Sequence, residues 1–288
     1  MEEKRMTPAP LPPAGSHPDP QAAPALALRD VTLAYGARKV LDGLSLTIPA
    51  GAFTAVVGPN GCGKSTLLRV LGGALAPTRG RALLDGADLA GLRPKAVARR
   101  LAYLPQDPQA PELITVRDLV ARGRYPHQSL LRLWSEADAL AVDAALADAE
   151  LTELAQRPMQ TLSGGQRQRV WLALVLAQDT GILLLDEPTT FLDIRHQLDL
   201  LDLCARLHAA GRTLVVVLHD LNLAFRYASR VVMMREGRIA AQGAADEVVT
   251  EAALRQVFDL DCRVMPDPET GNPMIVPRRG GPGQRRYE

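Results

Sequence analysis

The chain lacks any long hydrophobic run. No stretch approaches the roughly 20 apolar residues that a helix needs to cross a bilayer. The longest apolar run, Val170 to Ala177, has the length of a core helix. Proline-rich sequence without an apolar segment follows the first five residues, so we expect no secretory signal. Any membrane role is therefore expected to come through a partner protein.

An excess of charge of either sign is also absent. The 33 Lys and Arg residues are balanced by 32 Asp and Glu residues, which gives a net charge of +1. This balance provides no electrostatic footprint for nucleic acid, so we expect no nucleic-acid partner. The three cysteines lie far apart and form no Cys-x-x-Cys pair, which favours reduced thiols in a cytosolic protein over zinc ligands or disulfides.

The pattern of apolar residues divides the chain into three parts, with an insertion in the second. Residues 1–25 are rich in Pro and Ala and are predicted to form a disordered arm. Residues 26–265 alternate strand-like and helix-like patterns, typical of a largely parallel sheet with ligands at the carboxyl ends of its strands. Capping patterns at Thr115 and Ser135 predict an inserted helical lobe over about residues 108–160. Residues 266–288 are rich in Pro, Gly and Arg, and we expect this tail to fray.

One glycine-rich stretch stands between a predicted strand, Phe53 to Val57, and a predicted helix that begins near Leu67. It matches the phosphate-loop pattern G-x-x-x-x-G-K-[ST], in which glycines turn backbone amides toward phosphate oxygens. An ordinary Gly-rich turn is the alternative. The predicted nucleotide-binding residues are Gly58, Pro59, Asn60, Gly61, Cys62, Gly63, Lys64, Ser65 and Thr66. In this pattern Lys64 supplies charge to the β- and γ-phosphates, and the Ser65 hydroxyl is placed for Mg²⁺.

The predicted strand Ile182 to Leu185 delivers two carboxylates at its carboxyl end. A solvated strand end is the ordinary explanation of such a pair. Beside a phosphate loop the pair becomes a Walker B element, in which Asp186 holds Mg²⁺ and Glu187 accepts a proton from the attacking water. Two tasks require two acids, since one carboxylate stays with the metal and the other must be free to take the proton.

A Ser-Gly-Gly-Gln turn, Ser163, Gly164, Gly165 and Gln166, opens a predicted helix about 20 residues before this strand. Ser163 is a good N-cap, and the two glycines leave backbone amides uncovered. A second anion site is therefore one interpretation. A plain capped helix start is the other.

In this order, the phosphate loop, Leu-Ser-Gly-Gly-Gln and Leu-Leu-Leu-Asp-Glu-Pro-Thr resemble the nucleotide-binding domain of ABC transporters. The resemblance runs from about Leu26 to Pro277. It implies an α/β fold: a P-loop NTPase (ABC ATPase) core with an antiparallel β subdomain and an inserted helical subdomain. It also implies that ATP and Mg²⁺ are bound and that ATP is hydrolysed.

The resemblance assigns further site residues. Tyr35 resembles the aromatic residue that stacks on adenine, with a cross-strand core tyrosine as the alternative. Gln106 resembles the glutamine that meets Mg²⁺ and the attacking water, and His219 resembles the switch histidine that reaches the γ-phosphate. Asp193 resembles an aspartate at the dimer contact, although the preceding Thr-Phe-Leu departs from the family's usual Ser-Ala-Leu. Lys64, Gln106, Glu187 and His219 are thus the implied catalytic residues.

In that family two copies pack head to tail, with each ATP between one phosphate loop and the other copy's Ser-Gly-Gly-Gln turn. The resemblance thus implies a homodimer that drives polytopic permease subunits, and indirectly a solute-binding protein, at the cytoplasmic face of the inner membrane. Val120 to His127 and Phe258 to Pro277 are similar to importers of ferric siderophores, haem and vitamin B12, and the helix from Trp171 favours the siderophore branch.

Proteins of three other classes also use a phosphate loop. A soluble, non-transport ABC ATPase would typically carry two sites in one chain or a coiled-coil insertion. A small-molecule kinase would not need the Ser-Gly-Gly-Gln turn, and a GTPase would need Asn-Lys-x-Asp, which the sequence does not contain. Within the loop, Cys62 is either an inert residue or a reactive thiol, since Lys64 and a helix N-terminus both lower thiol pKa.

Overall fold

Strands and helices alternate along the chain in the computed structural model, which describes residues 24–129, 134–190 and 192–278. The strands are β1 Pro24–Tyr35, β2 Arg38–Pro49, β3 Phe53–Val57, β4 Arg79–Leu84, β5 Ala87–Asp88, β6 Leu101–Leu104, β7 Ile182–Asp186, β8 Thr213–Val217, β9 Arg230–Arg235, β10 Arg238–Ala244, β11 Cys262–Pro266 and β12 Pro273–Pro277. The helices are α1 Lys64–Leu71, α2 Pro94–Ala98, α3 Val116–Ala121, α4 Glu136–Asp148, α5 Gly164–Ala177, α6 Ile194–Ala209, α7 Leu221–Tyr227, α8 Ala245–Val248 and α9 Glu251–Phe258.

The central sheet has six strands in the order β10-β9-β3-β8-β7-β6. All neighbouring pairs are parallel except β9 with β10. Every residue of β3, β7 and β8 is buried, which explains their continuous apolar runs, since a parallel sheet is covered on both faces. Because parallel strands end at one edge, the segments that follow β3, β6, β7 and β8 are brought together there.

A second, antiparallel sheet in the order β2-β1-β4-β5 covers α1. Leu26, Leu28, Val31 and Leu33 of β1 are buried and belong to the hydrophobic cluster that also contains Leu67 and Leu68 of α1. This cluster holds the start of α1, and therefore the loop before it, against the antiparallel sheet. The expected antiparallel subdomain beside an α/β core is confirmed.

The predicted helical lobe is present between β6 and α5, and its helix starts are capped as the sequence indicates. The Thr115 hydroxyl accepts a hydrogen bond from the Asp118 amide, and Ser135 forms a reciprocal capping box with Asp138. The first helix ends at Ala121, and a 3₁₀ segment, Arg122–His127, continues it past the expected stop near Gly123.

That 3₁₀ segment carries a buried ion pair. Arg124 Nε lies 2.9 Å from Asp138 Oδ1, with only 8% and 6% of the two side chains exposed. Arg124 Nη1 also donates to the carbonyl oxygen of Ala177 at 2.8 Å. A Cβ on Gly123 would lie 2.3 Å from the Leu174 carbonyl oxygen, so a glycine is required there for the segment to approach α5. The lobe is thereby tied to the carboxyl end of α5.

The expectation that the chain frays from Pro266 is wrong for residues 266–277. Strands β11 and β12 form an antiparallel hairpin that starts at Cys262 and ends at Pro277. Burial of Cys262 and Ile275 against the main hydrophobic cluster holds the hairpin on the domain. The three prolines of its strands, Pro266, Pro273 and Pro277, stand at strand ends, where they are tolerated.

The predicted N-terminal arm lies almost wholly outside the described residues, as does Phe191, and β1 begins at Pro24. Residues 279–288 of the predicted tail also lie outside them. Within the described ranges, none of the helices combines the length and the apolar character that a bilayer crossing requires.

Candidate active site

The predicted phosphate loop joins β3 to α1. Lys64 is buried, and its Nζ donates to the carbonyl oxygens of Gly58 at 2.9 Å and Pro59 at 3.1 Å. Gly63, the residue before α1, has a φ of 105° and no side chain to cap the helix. The first-turn amides of α1 thus have no side-chain cap, which leaves the helix N-terminus suited to an anion.

The glycines of this loop serve two different purposes. A Cβ on Gly58 would lie 2.3 Å from the carbonyl oxygen of Met234, and a Cβ on Gly63 would lie 2.9 Å from that of Val40. The loop is therefore pressed against β9 and β2. Gly61 has a φ of 74° but open space around its Cβ position, so it faces outward. Only glycines fulfil both requirements, close packing on one side and backbone access on the other.

Ser65 and Asp186 bring two oxygen donors together next to the phosphate loop. The Ser65 hydroxyl donates to Asp186 Oδ1 at 3.0 Å, and Asp186 is 1% exposed. Burial raises the pKa of Asp186, the neighbouring charge of Glu187 adds to this, and the Ser65 hydroxyl opposes it. Hydroxyl and carboxylate oxygens are the ligands that Mg²⁺ prefers, so the donor set fits this ion. Within the described ranges no cluster of three or more His, Cys, Asp or Glu residues could hold a metal alone, so phosphate and water oxygens would have to complete the shell.

Glu187, which follows β7, contacts one residue after β6 and one residue after β8. Its Oε2 accepts from Gln106 Nε2 at 2.7 Å, and its Oε1 lies 2.7 Å from His219 Nε2. Gln106 follows β6 and His219 follows β8, on either side of β7. Glu187 itself is 7% exposed and has a φ of 54°. A non-glycine residue in the left-handed region is strained, and such strain is common at functional sites.

The other predicted residues stand apart from this cluster. Ser163 Oγ accepts from the Gln166 amide at 3.2 Å and Gln166 Oε1 accepts from the Ser163 amide at 3.0 Å, which confirms the predicted capped helix start. Ser163 and Gly164 are exposed, Gly165 and Gln166 are half-buried, and a Cβ on Gly164 would meet open space. Among the described residues, this turn forms its side-chain hydrogen bonds within itself and not with the phosphate loop.

Two more predicted residues are exposed. Tyr35, at the end of β1, exposes 54% of its surface, so the alternative of a core tyrosine is wrong. Asp193 caps α6 by accepting from the His196 amide at 2.9 Å. That hydrogen bond holds the pKa of Asp193 below its ordinary value, although burial opposes the shift.

The surroundings of Cys62 do not support the hypothesis of a reactive thiol. Its side chain is buried, and a Cβ on Gly58 would lie 2.8 Å from its Sγ, so the thiol points into the loop's packed side. Burial raises its pKa, and the charge of Lys64 only partly opposes this. Proximity to Lys64 and to a helix start suggested a lowered thiol pKa instead. The sequence does not show that the side chain points inward, and this burial explains the difference.

Sequence reasoning missed two residues that contact the carboxylates. Tyr103 OH lies 3.4 Å from Asp186 Oδ2, and Thr190 Oγ1 lies 3.4 Å from Glu187 Oε2. The signal for Tyr103 was available only through the sheet, since parallel pairing of β6 with β7 places Tyr103 beside Leu184.

A phosphate loop, a buried carboxylate pair after the neighbouring strand, and polar residues from two flanking strand ends together define a P-loop nucleotide hydrolase. The sequence profile of the ABC transporter family matches residues 41–190, slightly more than half of the chain. The chain therefore belongs to the ABC transporter family.

Curated relatives and solved structures agree. The petrobactin import ATP-binding protein of Bacillus anthracis is 50% identical over 262 residues, covering 91% of this chain and 95% of that protein. The ferric enterobactin transport ATP-binding protein of Escherichia coli is 51% identical over 248 residues, covering 86% and 92%. A structure described as a metal-chelate type ABC transporter in an inward-facing conformation has a TM-score of 0.76 at 28% identity, covering 89% of this chain and 98% of that one.

A further solved structure is a dimeric ATP-binding cassette bound to ADP and phosphate in a post-hydrolysis state. It has a TM-score of 0.69 at 28% identity and covers 76% of this chain and 98% of that one. The predicted α/β fold with a P-loop NTPase core is confirmed by these neighbours. Family membership also decides against a kinase or GTPase.

Proposed function

We propose that this protein is the ATP-hydrolysing subunit of an importer for ferric siderophores. The observation that carries the hydrolytic part is the cluster of Lys64, Ser65, Gln106, Asp186, Glu187 and His219 at one sheet edge. The siderophore part rests on relatives about half identical over most of the chain, whose names state petrobactin import, ferric enterobactin transport and siderophore transport. The ATPase subunit does not bind the cargo in this scheme, so none of its residues reads the siderophore.

Glu187 is the proposed general base. It is buried beside the phosphate loop, and hydrogen bonds to both carboxylate oxygens fix its orientation. Gln106 and His219 hold this carboxylate, and each has a polar atom that can turn to water or to the γ-phosphate when ATP is bound. Lys64 binds and orients the β- and γ-phosphates, and the α1 amides and residues 58–63 and 66 line the phosphates.

Ser65 and Asp186 are the proposed Mg²⁺ ligands, with Gln106 as a further contact. Bound Mg²⁺ would neutralise charge on the phosphate oxygens. The Ser65 hydroxyl then presents its oxygen lone pair, while the carboxylate of Asp186 supplies a negative charge at a site where burial makes it otherwise unfavourable.

The predicted residues that stand apart from this cluster form the proposed dimer contact and adenine site. Ser163, Gly164, Gly165 and Gln166 would meet the γ-phosphate bound by a second copy, Asp193 would lie beside it, and Tyr35 would stack on adenine. Ile194, next to Asp193, exposes 76% of its surface, which suits a residue covered by a partner. Permease subunits at the cytoplasmic face of the inner membrane, and through them a solute-binding protein, complete the proposed assembly.

The substitution Glu187→Gln tests the catalytic assignment. We expect hydrolysis to fall by about 10²–10⁴-fold, the usual contribution of a general base, while ATP binding persists and the dimer accumulates. Glu150→Gln is the matched control, because Glu150 shares the left-handed backbone, with a φ of 54°, but pairs with Arg169 on the surface. Turnover of Glu187→Gln near that of wild type would show that another group is the base.

The cargo is tested by uptake. Cells that lack this subunit should fail to accumulate radioactive iron from a ferric siderophore, and the wild-type chain but not Glu187→Gln should restore it. Uptake of haem and cobalamin serves as the comparison. Loss of haem or cobalamin uptake with intact siderophore uptake would show that the chain serves an importer of haem or cobalamin.

A further inference from the structure

The carboxyl-terminal hairpin is bound to one particular helix, α7. The side-chain amide of Asn222 pairs with the backbone of Ile275 in β12: Asn222 Oδ1 accepts from the Ile275 amide at 2.7 Å, and its Nδ2 donates to the Ile275 carbonyl oxygen at 3.2 Å. The amide group thus continues the hydrogen-bonding edge of the hairpin as another strand would. Ile275 itself is 5% exposed and Asn222 is exposed, so this contact is partly buried.

A second contact lies one helical turn further along the same face of α7. Arg226 donates from Nε to Asp267 Oδ2 at 2.8 Å, and its Nη2 lies 2.7 Å from the same oxygen. Asp267 is only 4% exposed. Asn272 Nδ2 donates to the Arg226 carbonyl oxygen at 2.9 Å, which satisfies a carbonyl at the end of the helix. Two side chains of α7 are therefore held by the hairpin, Asn222 by β12 and Arg226 by the turn that joins β11 to β12.

Helix α7 begins two residues after the proposed switch histidine. His219 is followed by Asp220, whose Oδ1 accepts from the Leu223 amide at 3.0 Å and fixes the first turn. His219 Nε2 in turn lies 2.7 Å from Glu187 Oε1. The imidazole is 47% exposed, so the Glu187 contact and the backbone that carries the ring set its position, rather than close packing around it.

We propose that the hairpin is a clamp that positions His219, with Asn222 and Arg226 as its positioning residues on α7. Neither residue touches the nucleotide. Each acts through the helix, so that the position of β12 and of the turn before it determines the position of the histidine. The effect on turnover rests on the proposed function, in which His219 contributes to ATP hydrolysis.

The first test is the substitution Asn222→Ala. We expect kcat for ATP hydrolysis to fall by about 10- to 100-fold, as for other small displacements of a reacting group, with KM for ATP changed by less than about twofold. Arg278→Ala is the matched control. Arg278 follows β12 but pairs with Glu251 of α9, 3.5 Å away, so its loss leaves the contacts of α7 intact and kcat unchanged. A kcat of Asn222→Ala equal to that of the control overturns the proposal.

The second readout does not depend on activity. The chain has five histidines, so the imidazole NMR resonance of His219 can be assigned by substituting each in turn. In nucleotide-free protein we expect this resonance to shift in Asn222→Ala and to stay in place in Arg278→Ala. If wild type does not hydrolyse ATP, the proposed function fails while this measurement still decides on the clamp; an unmoved His219 resonance rejects it.

Arg226→Lys covers the case in which Asn222→Ala does not fold. Lysine keeps the charge beside Asp267 but cannot form both contacts that the guanidinium makes. We expect a smaller loss of kcat, about three- to tenfold, with the same shift of the His219 resonance. Wild-type kcat together with a wild-type resonance in this variant also rejects the clamp.

Discussion

Removing one partner of the buried Arg124–Asp138 ion pair should destabilise the helical lobe strongly. In Asp138→Ala, the buried Arg124 guanidinium keeps, among the described residues, only the Ala177 carbonyl oxygen as a partner. Breaking a buried pair in this way costs about 3–5 kcal/mol. Asp138 also closes the capping box with Ser135, which adds up to about 1 kcal/mol. We therefore expect Asp138→Ala to lower the free energy of unfolding by about 4 kcal/mol, and Arg124→Ala by about 3 kcal/mol, because Asp138 would keep its bonds to Ser135.

Urea unfolding followed by tryptophan fluorescence measures this loss. The chain has only two tryptophans, Trp134 beside the start of α4 and Trp171 on α5, so the signal reports on the region concerned. At an m-value of about 3 kcal/mol/M, a loss of 4 kcal/mol lowers the urea midpoint by about 1.3 M.

The matched control is Asp143→Ala. Asp143 lies on the same helix and pairs with Arg117 at 2.6 Å, but 54% of its side chain is exposed, and such pairs contribute about 0–1 kcal/mol. If Asp138→Ala loses no more stability than Asp143→Ala, the buried pair contributes no more to the lobe than a surface pair does.

The stability that the Arg124–Asp138 pair contributes should decrease as the pH falls. The Ser135 hydroxyl and the Arg124 guanidinium hold the pKa of Asp138 below its ordinary value against the effect of burial. A depressed folded-state pKa gives stability that is present above the unfolded value of about 3.9 and is lost as the pH falls through the folded value. The difference in the free energy of unfolding between wild type and Asp138→Ala should thus stay constant from pH 7 to about 5 and become smaller below about pH 4.

Two further outcomes follow from the site. Ser163→Arg should leave ATP binding intact yet stop turnover, because in the proposed dimer Ser163 contributes to the site of the second copy. Thr250→Arg, which removes the cap of α9 instead, should keep turnover, and equal turnover in the two variants would argue against the shared site. All three cysteines are buried, so native protein should take up fewer than one maleimide per chain whether or not ATP is present, against three in urea. Rapid labelling of Cys62 in the native protein would show that its thiol is accessible after all.

The strand ends that build the site could be read from the sequence because they combine two strong local signals. Each is a run of apolar residues, buried on both faces as in β3 and β7, followed at once by a polar motif. Contacts between distant parts of the chain could not be read in this way. Tyr103 contacts Asp186 only because β6 pairs with β7, and Cys62 points inward only because β9 lies behind the loop.

The hairpin was missed for a related reason. Proline, glycine and arginine around β11 and β12 are typical of a tail, and local propensity alone favours disorder there. The hairpin is held instead by residues more than forty positions earlier in the chain, Asn222 and Arg226, and by burial of Cys262 and Ile275. Arg124 was similarly inconspicuous, since nothing in its neighbourhood shows that α5 will cover it.

The two kinds of glycine in the phosphate loop have a consequence for mutational scans. A methyl group at Gly58 collides with the backbone of β9, so any variant there damages the fold whether or not a nucleotide is ever bound. Gly61 has room for a methyl group and resists it only through its backbone angle. Equal loss of activity at the two positions would therefore have unequal meaning: at Gly58 it reports on the protein's interior, and at Gly61 on the path of the chain around its ligand.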